Sequence, residues 1–201
     1  MYLITQLCKM IHNTYFEIIA QFLGDYTREI YGRQLIGKVS LSQKAIALTL
    51  EKLESEGVLV SRKSGNMRFY ALNKKNPQIK DIITITELTR KTEFLNKHKI
   101  IAQVFKGDSR IIGVFGSYAK NIEKKDSDVD IFIIGEKNST DNYVESAQMF
   151  DLDVSIKYFS LKEFKKLRNN PLVKEIIAHH VILSNAEGFV SIVGKDFYGF
   201  D

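Results

Sequence analysis

A chain of 201 residues with 44% hydrophobic and 26% charged side chains carries enough apolar surface to bury a core, which excludes a disordered or collagen-like polymer. No run approaches the roughly 18 consecutive apolar residues of a membrane-spanning helix, and the first 20 residues lack a basic start, so neither a membrane anchor nor a secretory leader is expected. The only cysteine, Cys8, has no partner for an internal disulfide; it is expected as core filler in a protein of the reducing cytoplasm.

The net charge of +5 is unevenly spread. Residues 1–76 hold 11 Lys and Arg against 6 Asp and Glu, residues 77–106 hold 6 against 3, and residues 107–201 hold 12 against 15. A basic front and an acidic back suit one module that approaches a polyanion and another that gathers carboxylates around a cation.

In chain order, Thr14–Leu23 places Phe16, Ile19 and Phe22 on one helical face, with Gly24 ending the helix. A second helix is expected from Thr27 to about Lys38. A third follows a cap at Ser40 or Ser42 with the stripe Ile46, Leu50 and Leu53, and stops at Gly57. Two strands, Val58–Arg62 and Met67–Leu72, flank a tight turn at Ser64–Gly65–Asn66.

From Leu41 through Asn73 the pattern resembles a winged helix-turn-helix of archaeal or bacterial regulator type. The resemblance implies DNA binding, with Gln43 and Lys44 of the third helix at base edges and Arg62, Lys63 and Arg68 of the wing on phosphates. Ala47 and Leu48 on the same helix face offer the other use of such a module, docking a protein or a second copy.

After Pro77, Ile79–Phe105 reads as one long helix with Leu88, Phe94, Leu95 and Ile101 near helical spacing, a spacer or dimer seam without catalytic residues.

From Arg110 the chain reads as a short apolar strand, a Gly116–Ser117 turn opening a short helix, and a strand carrying Asp128 and Asp130. Residues two apart on a strand leave the same face, so these carboxylates repel unless a hard cation neutralises them. Mg²⁺ takes such oxygens together with those of a substrate phosphate. Gly116 admits close backbone approach, and the helix start at Ser117 offers free N–H groups to phosphate.

Together, Gly-Ser, ten intervening residues and Asp-any-Asp resemble the DNA polymerase β superfamily of nucleotidyltransferases, most closely its minimal members. Asp126 and Ser127 fit the usual approach to the Asp pair. The resemblance implies that Gly116 and Ser117 hold an NTP, ATP above others, that Asp128 and Asp130 bind two Mg²⁺ ions, and that an acceptor hydroxyl on a protein or nucleic acid attacks the α-phosphate. Asn121 stands where minimal members commonly carry Gly, and Asn tolerates the left-handed backbone such a turn needs.

The family's third carboxylate comes from a later strand, here within residues 149–159. Asp151, Asp153 and Ser155 would share a strand face; Asp153, flanked by Leu152 and Val154, is the favoured third metal ligand. Helices are expected from Leu161 to a break near Asn169–Pro171 and on to about His180. Lys162, Lys165, Lys166 and Arg168 form a solvated face, and His179 and His180, without Cys or spaced His partners, receive no role. Tyr198 and Phe200 are a candidate oligomer contact.

The expected architecture is α+β, with a winged helix-turn-helix at 1–76, a connector helix at 77–106 and a nucleotidyltransferase domain with a small mixed sheet at 107–201. The expected alternative activity is nucleotide sensing by a degenerate domain coupled to DNA binding.

Overall fold

A computed structural model describes residues 14–139 and 141–200; Cys8 lies outside the described residues. The N-terminal unit begins with α1 (Thr14–Ile19), which runs into a 3-10 turn at Ala20–Phe22. α2 (Gln43–Ser55) starts at Ser42, whose side chain accepts from the Ala45 N–H, and buries Ile46, Thr49, Leu50 and Leu53. It ends where Gly57 takes a left-handed φ of 70°. β1 (Leu59–Ser64) and β2 (Met67–Leu72) pair antiparallel with Ser64 opposite Met67, so the turn is Gly65–Asn66.

The second helix expected from Thr27 to Lys38 does not form. Ile30 instead makes a bridge to Tyr70 with reciprocal backbone bonds of 2.9 and 2.7 Å, and only a 3-10 turn at Gly32–Leu35 follows. Pairing to β2 takes the Ile30 backbone groups a helix would need, and Gly37 at φ 79° turns the chain toward α2.

The connector is two helices rather than one: α3 (Ile79–Lys97) and α4 (Lys99–Val104), broken at His98 with φ −119° and ψ 60°. The His98 ring lies against Phe94 and Tyr118, with centroids 4.4 and 5.3 Å apart. Nor is α3 a detached spacer. It buries Ile79, Ile83, Thr86, Glu87 and Phe94, while Leu88 faces outward.

The second half carries β3 (Ile111–Phe115), α5 (Gly116–Ala119), β4 (Val129–Ile134), α6 (Tyr143–Gln148), β5 (Val154–Phe159), α7 (Leu161–Lys166), α8 (Pro171–Ala178), β6 (Val181–Ser184) and α9 (Ala186–Ile192). The four strands form a mixed sheet in the order β5-β4-β3-β6. β3 is antiparallel to both β4 and β6, and β4 is parallel to β5. Both faces of β3 and nearly all of β4 are buried, consistent with their unbroken apolar runs.

One hydrophobic core runs through both halves, joining Ile18, Phe22, Leu50 and Ile83 to Phe132, Ile176, Phe189 and Phe200. The C-terminal aromatics fill this seam. Phe200 is 2% exposed, the Tyr26 ring lies 5.0 Å from Tyr198 and 5.5 Å from Phe200, and the Tyr198 hydroxyl donates to Gly24 O at 2.8 Å. A buried polar pair crosses the same seam. His180 Nε2 lies 2.9 Å from Glu87 Oε1, with side-chain exposures of 1% and 0%. His180 Nδ1 faces the carbonyls of Ile176 and Ile177 at 3.0 and 2.9 Å, and since carbonyls only accept, Nδ1 carries hydrogen. Burial, followed by the Glu87 charge, pushes the Tyr26 hydroxyl well above its usual pKa.

Far along the chain from that seam, Arg110 bridges two carboxylates. It bonds Asp141 through Nη1 and Nη2 at 2.9 and 2.7 Å and Asp108 through Nε and Nη2 at 3.0 and 2.6 Å, and the Tyr143 hydroxyl also donates to Asp108. The Arg110 bonds lower the Asp108 carboxyl from 3.8 to about 2. The depressed folded pKa means that this stabilisation is complete above about pH 4 and is lost as pH falls toward 2. Arg110→Ala is expected to cost roughly 3 kcal/mol by leaving two partly buried carboxylates side by side. Asp108→Asn is expected to flatten the fall of the thermal midpoint between pH 4 and pH 2; urea and thermal unfolding across that range check both.

Candidate active site

Antiparallel register sets Phe115 opposite Asp130, so the chain leaving β3 turns directly over the Asp pair. Gly116 takes φ 70° at this point, and a Cβ built on it would stand 2.3 Å from Asp130 Oδ2. Glycine is therefore required twice, by the backbone angle and by the carboxylate pressed against it. α5 is a single turn that begins at Gly116, one residue earlier than expected. Asn121 adopts φ 54°, so the left-handed turn survives without the family's usual glycine.

Asp128 is exposed just before β4, and Asp130 is half-buried within it. A turn in which the Lys124 N–H donates to Ser127 Oγ at 2.9 Å and the Ser127 N–H to Lys124 O at 3.0 Å delivers the chain to Asp128. Burial raises the Asp130 carboxyl above its usual pKa, and the charges of Asp128 and Glu175 push in the same direction. Asp128 also reaches Tyr118, whose hydroxyl is raised first by burial and then by Glu123 and Asp128.

The three candidates for a third carboxylate do not share one strand face. Asp151 sits in a turn at φ 52°, and Asp153 precedes β5, so only Ser155 lies within the strand. Parallel register sets Ser155 beside Asp130, while the Val129 N–H donates to Asp153 O at 2.9 Å and brings Asp153 next to the Asp128 edge. Both Asp151 and Asp153 are exposed. Among the described residues, no group of three or more His, Cys, Asp or Glu side chains is positioned to hold a metal ion.

Two functional-site neighbours carry little sequence signal. Lys120, at the end of α5, pairs with Glu175 of α8 at 2.7 Å, and Glu175 also faces Asp130. His179 lies beside the same group: burial lowers its pKa, and Lys120, Arg90 and His180 add to that. Lys120 belongs to the Ser-Tyr-Ala-basic run, but Glu175 and His179 come from a helix whose periodicity marks only a buried stripe.

Residues 93–188 match the family model described as Polymerase beta, Nucleotidyltransferase. That segment is polymerase-β-like. The match begins within α3 and takes in the Gly-Ser turn, the Asp pair and α8. No curated protein and no solved structure matches the chain.

In the N-terminal unit, Gln43, Lys44, Ala47 and Leu48 are exposed on α2. Two of the three wing cations are engaged within the unit. Arg62 Nε donates to Glu29 Oε1 at 2.7 Å, and Arg68 Nη2 meets Glu54 Oε2 at 2.5 Å and Nε donates to Ser61 Oγ at 2.8 Å. Exposed pairs of this kind are screened by solvent and contribute little, so a phosphate can compete for either guanidinium. Among the described residues, no helix is long and apolar enough to cross a membrane.

Gly116→Ala is expected to destabilise the chain by about 2 kcal/mol through the clash with Asp130 and the strained φ. Adding Asp130→Ala should restore part of that loss, leaving the backbone term alone. A double-mutant cycle by urea unfolding measures the difference.

Proposed function

We propose that the chain transfers a nucleoside monophosphate from an NTP, with ATP as the leading candidate, to an acceptor hydroxyl. The observation that carries this reading is the contact of Gly116 with Asp130: a backbone without Cβ turns directly over one acid of the pair and brings the Gly-Ser turn up against the carboxylates, the juxtaposition that a metal-bound phosphate needs. The donor set fits a divalent metal. Two carboxylates two positions apart, one just before β4 and one within it, are all-oxygen ligands, and the raised pKa of Asp130, set by burial and by its neighbour's charge, marks a charge that a hard cation would stabilise. Asp128 and Asp130 would hold Mg²⁺, with Asp153 as the third carboxylate from the Asp128 edge. Bound there, Mg²⁺ supplies charge neutralisation at the α-phosphate and lowers the pKa of the attacking hydroxyl.

The chain's own groups orient the substrate. Gly116 and Ser117 present backbone N–H groups and a hydroxyl to the triphosphate. Lys120 is held at the end of the same turn by Glu175, so its charge is fixed beside the phosphate path. Tyr118 and the buried strands β3 and β4 keep the turn and the Asp pair in fixed relation. Gln43 and Lys44 on α2, with Arg62, Lys63 and Arg68 on the hairpin, are proposed to contact DNA.

A second reading is supported by one observation. Ser155, a hydroxyl, stands beside Asp130 in the parallel register. With a polar but uncharged residue in that slot, the domain would bind NTP and metal and signal to the N-terminal unit without transfer.

Titration calorimetry of the four NTPs with Mg²⁺ separates these readings. Asp128→Ala/Asp130→Ala is expected to weaken Mg²⁺-dependent NTP binding at least about tenfold, about 1.4 kcal/mol, and to abolish pyrophosphate release with acceptor present. Binding that the double variant retains in full would overturn both readings. Metal-dependent binding without release, accompanied by a change in DNA affinity on adding NTP, would establish the sensor.

A further inference from the structure

Between the N-terminal unit and the transferase domain lies a cleft of about 530 Å³. Its walls come from α1, the loop before α2, α3 and, through Asn121, the turn that follows α5. Phe16 is the only aromatic residue lining it among the described residues, and its ring is half-buried. Arg90 and Lys38 contribute two cations, and neither has an ion-pair partner among the described residues. Of the two acids on the walls, Glu17 is already engaged, accepting from the Ser40 N–H at 2.7 Å and from Ser40 Oγ at 2.6 Å. Glu93 is exposed.

Lys120, at the end of the Gly-Ser turn, is paired with Glu175 at 2.7 Å, and the next residue, Asn121, lines the near end of the cleft. A ring for stacking beside cations without carboxylate partners is the combination that single-stranded nucleic acids use, phosphate on the cations and base on the ring. The volume falls in the range that encloses a nucleotide-sized group. A peptide would instead ask for a larger apolar wall or an open sheet edge, and this cleft has neither.

We propose that this cleft binds one nucleotide unit of a single-stranded nucleic acid, its phosphate on Arg90 and Lys38 and its base against Phe16. As the acceptor, that strand rests on the transferase reading; as a ligand, it does not. Joined to the transferase reading, the cleft makes nucleic acid the acceptor class.

The test is fluorescence anisotropy with labelled single-stranded RNA and DNA of about ten nucleotides, using the full chain without NTP or divalent metal across a salt series. Arg90→Ala and Lys38→Ala are each expected to weaken binding about fivefold to tenfold and to reduce the dependence of log affinity on log salt by roughly one. Phe16→Ala should weaken binding about tenfold with the salt dependence unchanged, and Phe16→Tyr should restore it. Arg90→Lys, which keeps the charge, controls for misfolding. The RNA and DNA arms show which sugar is preferred.

No binding to either oligonucleotide would overturn the proposal, as would cleft variants that bind like the wild type while an Arg62, Lys63 and Arg68 triple alanine variant does not. Nucleotidyl transfer to a protein, undiminished in the cleft variants, would also overturn it. Phe16→Ala should bind NTP with Mg²⁺ like the wild type while losing the oligonucleotide, so loss of the transferase reading and loss of the cleft are separate results.

Discussion

The buried pair of Glu87 and His180 is the constraint on which the two halves depend. A carboxyl group with 0% exposure is tolerable only with a fixed partner, and His180 supplies one while its other nitrogen ties down the last carbonyls of α8. α8 in turn carries Glu175, which holds Lys120 at the end of the Gly-Ser turn. A residue in the middle of α3 is thereby connected, through one imidazole and one short helix, to the group beside Asp130. The aromatic cluster of Tyr26, Tyr198 and Phe200 closes the same seam from the apolar side. The proposed nucleic-acid cleft is the open part of the boundary that this pair fixes.

The Arg110 network does comparable work on the loop after β4. Two carboxylates and a phenol converge on one guanidinium and hold Asp141 and the start of α6 against the entry to β3. With β3 bracketed by the Gly116 turn at one end and Arg110 at the other, the strand can be almost wholly buried without freedom to slide. A shift by one residue would carry Phe115 off Asp130 and turn each side chain of β3 to the opposite face.

What the sequence revealed was local. The stripe Ile46, Leu50 and Leu53, the hairpin turn at Gly65, the Gly116–Ser117 turn and the paired acids Asp128 and Asp130 all announce themselves by spacing, because each depends on residues a few positions apart. What it concealed was long-range. Ile30 pairs with a strand 40 positions onward, and no periodicity within Thr27–Lys38 records that. Leu88 faces outward because its neighbour Glu87 is drawn inward by a histidine from the far half, reversing what hydrophobicity alone dictates. Asp151, Asp153 and Ser155 looked equivalent because alternation was extended past the point where the strand begins. His179 and His180 looked idle because a histidine's role is set by what it meets in space.

The placement of Phe200 against Tyr26 has a consequence for how the chain is made. Synthesis runs from the N-terminus, and a unit complete in itself folds as soon as it leaves the ribosome. Here the core that holds α1 and α2 also includes Ile176, Phe189 and Phe200, residues delivered only after most of the chain has been made. The N-terminal unit therefore emerges first but closes last, through contacts of very large sequence separation that slow folding. Until residue 200 arrives, Tyr26 and the apolar face around it remain exposed on the nascent chain, so the final ordering of both halves is a single late event.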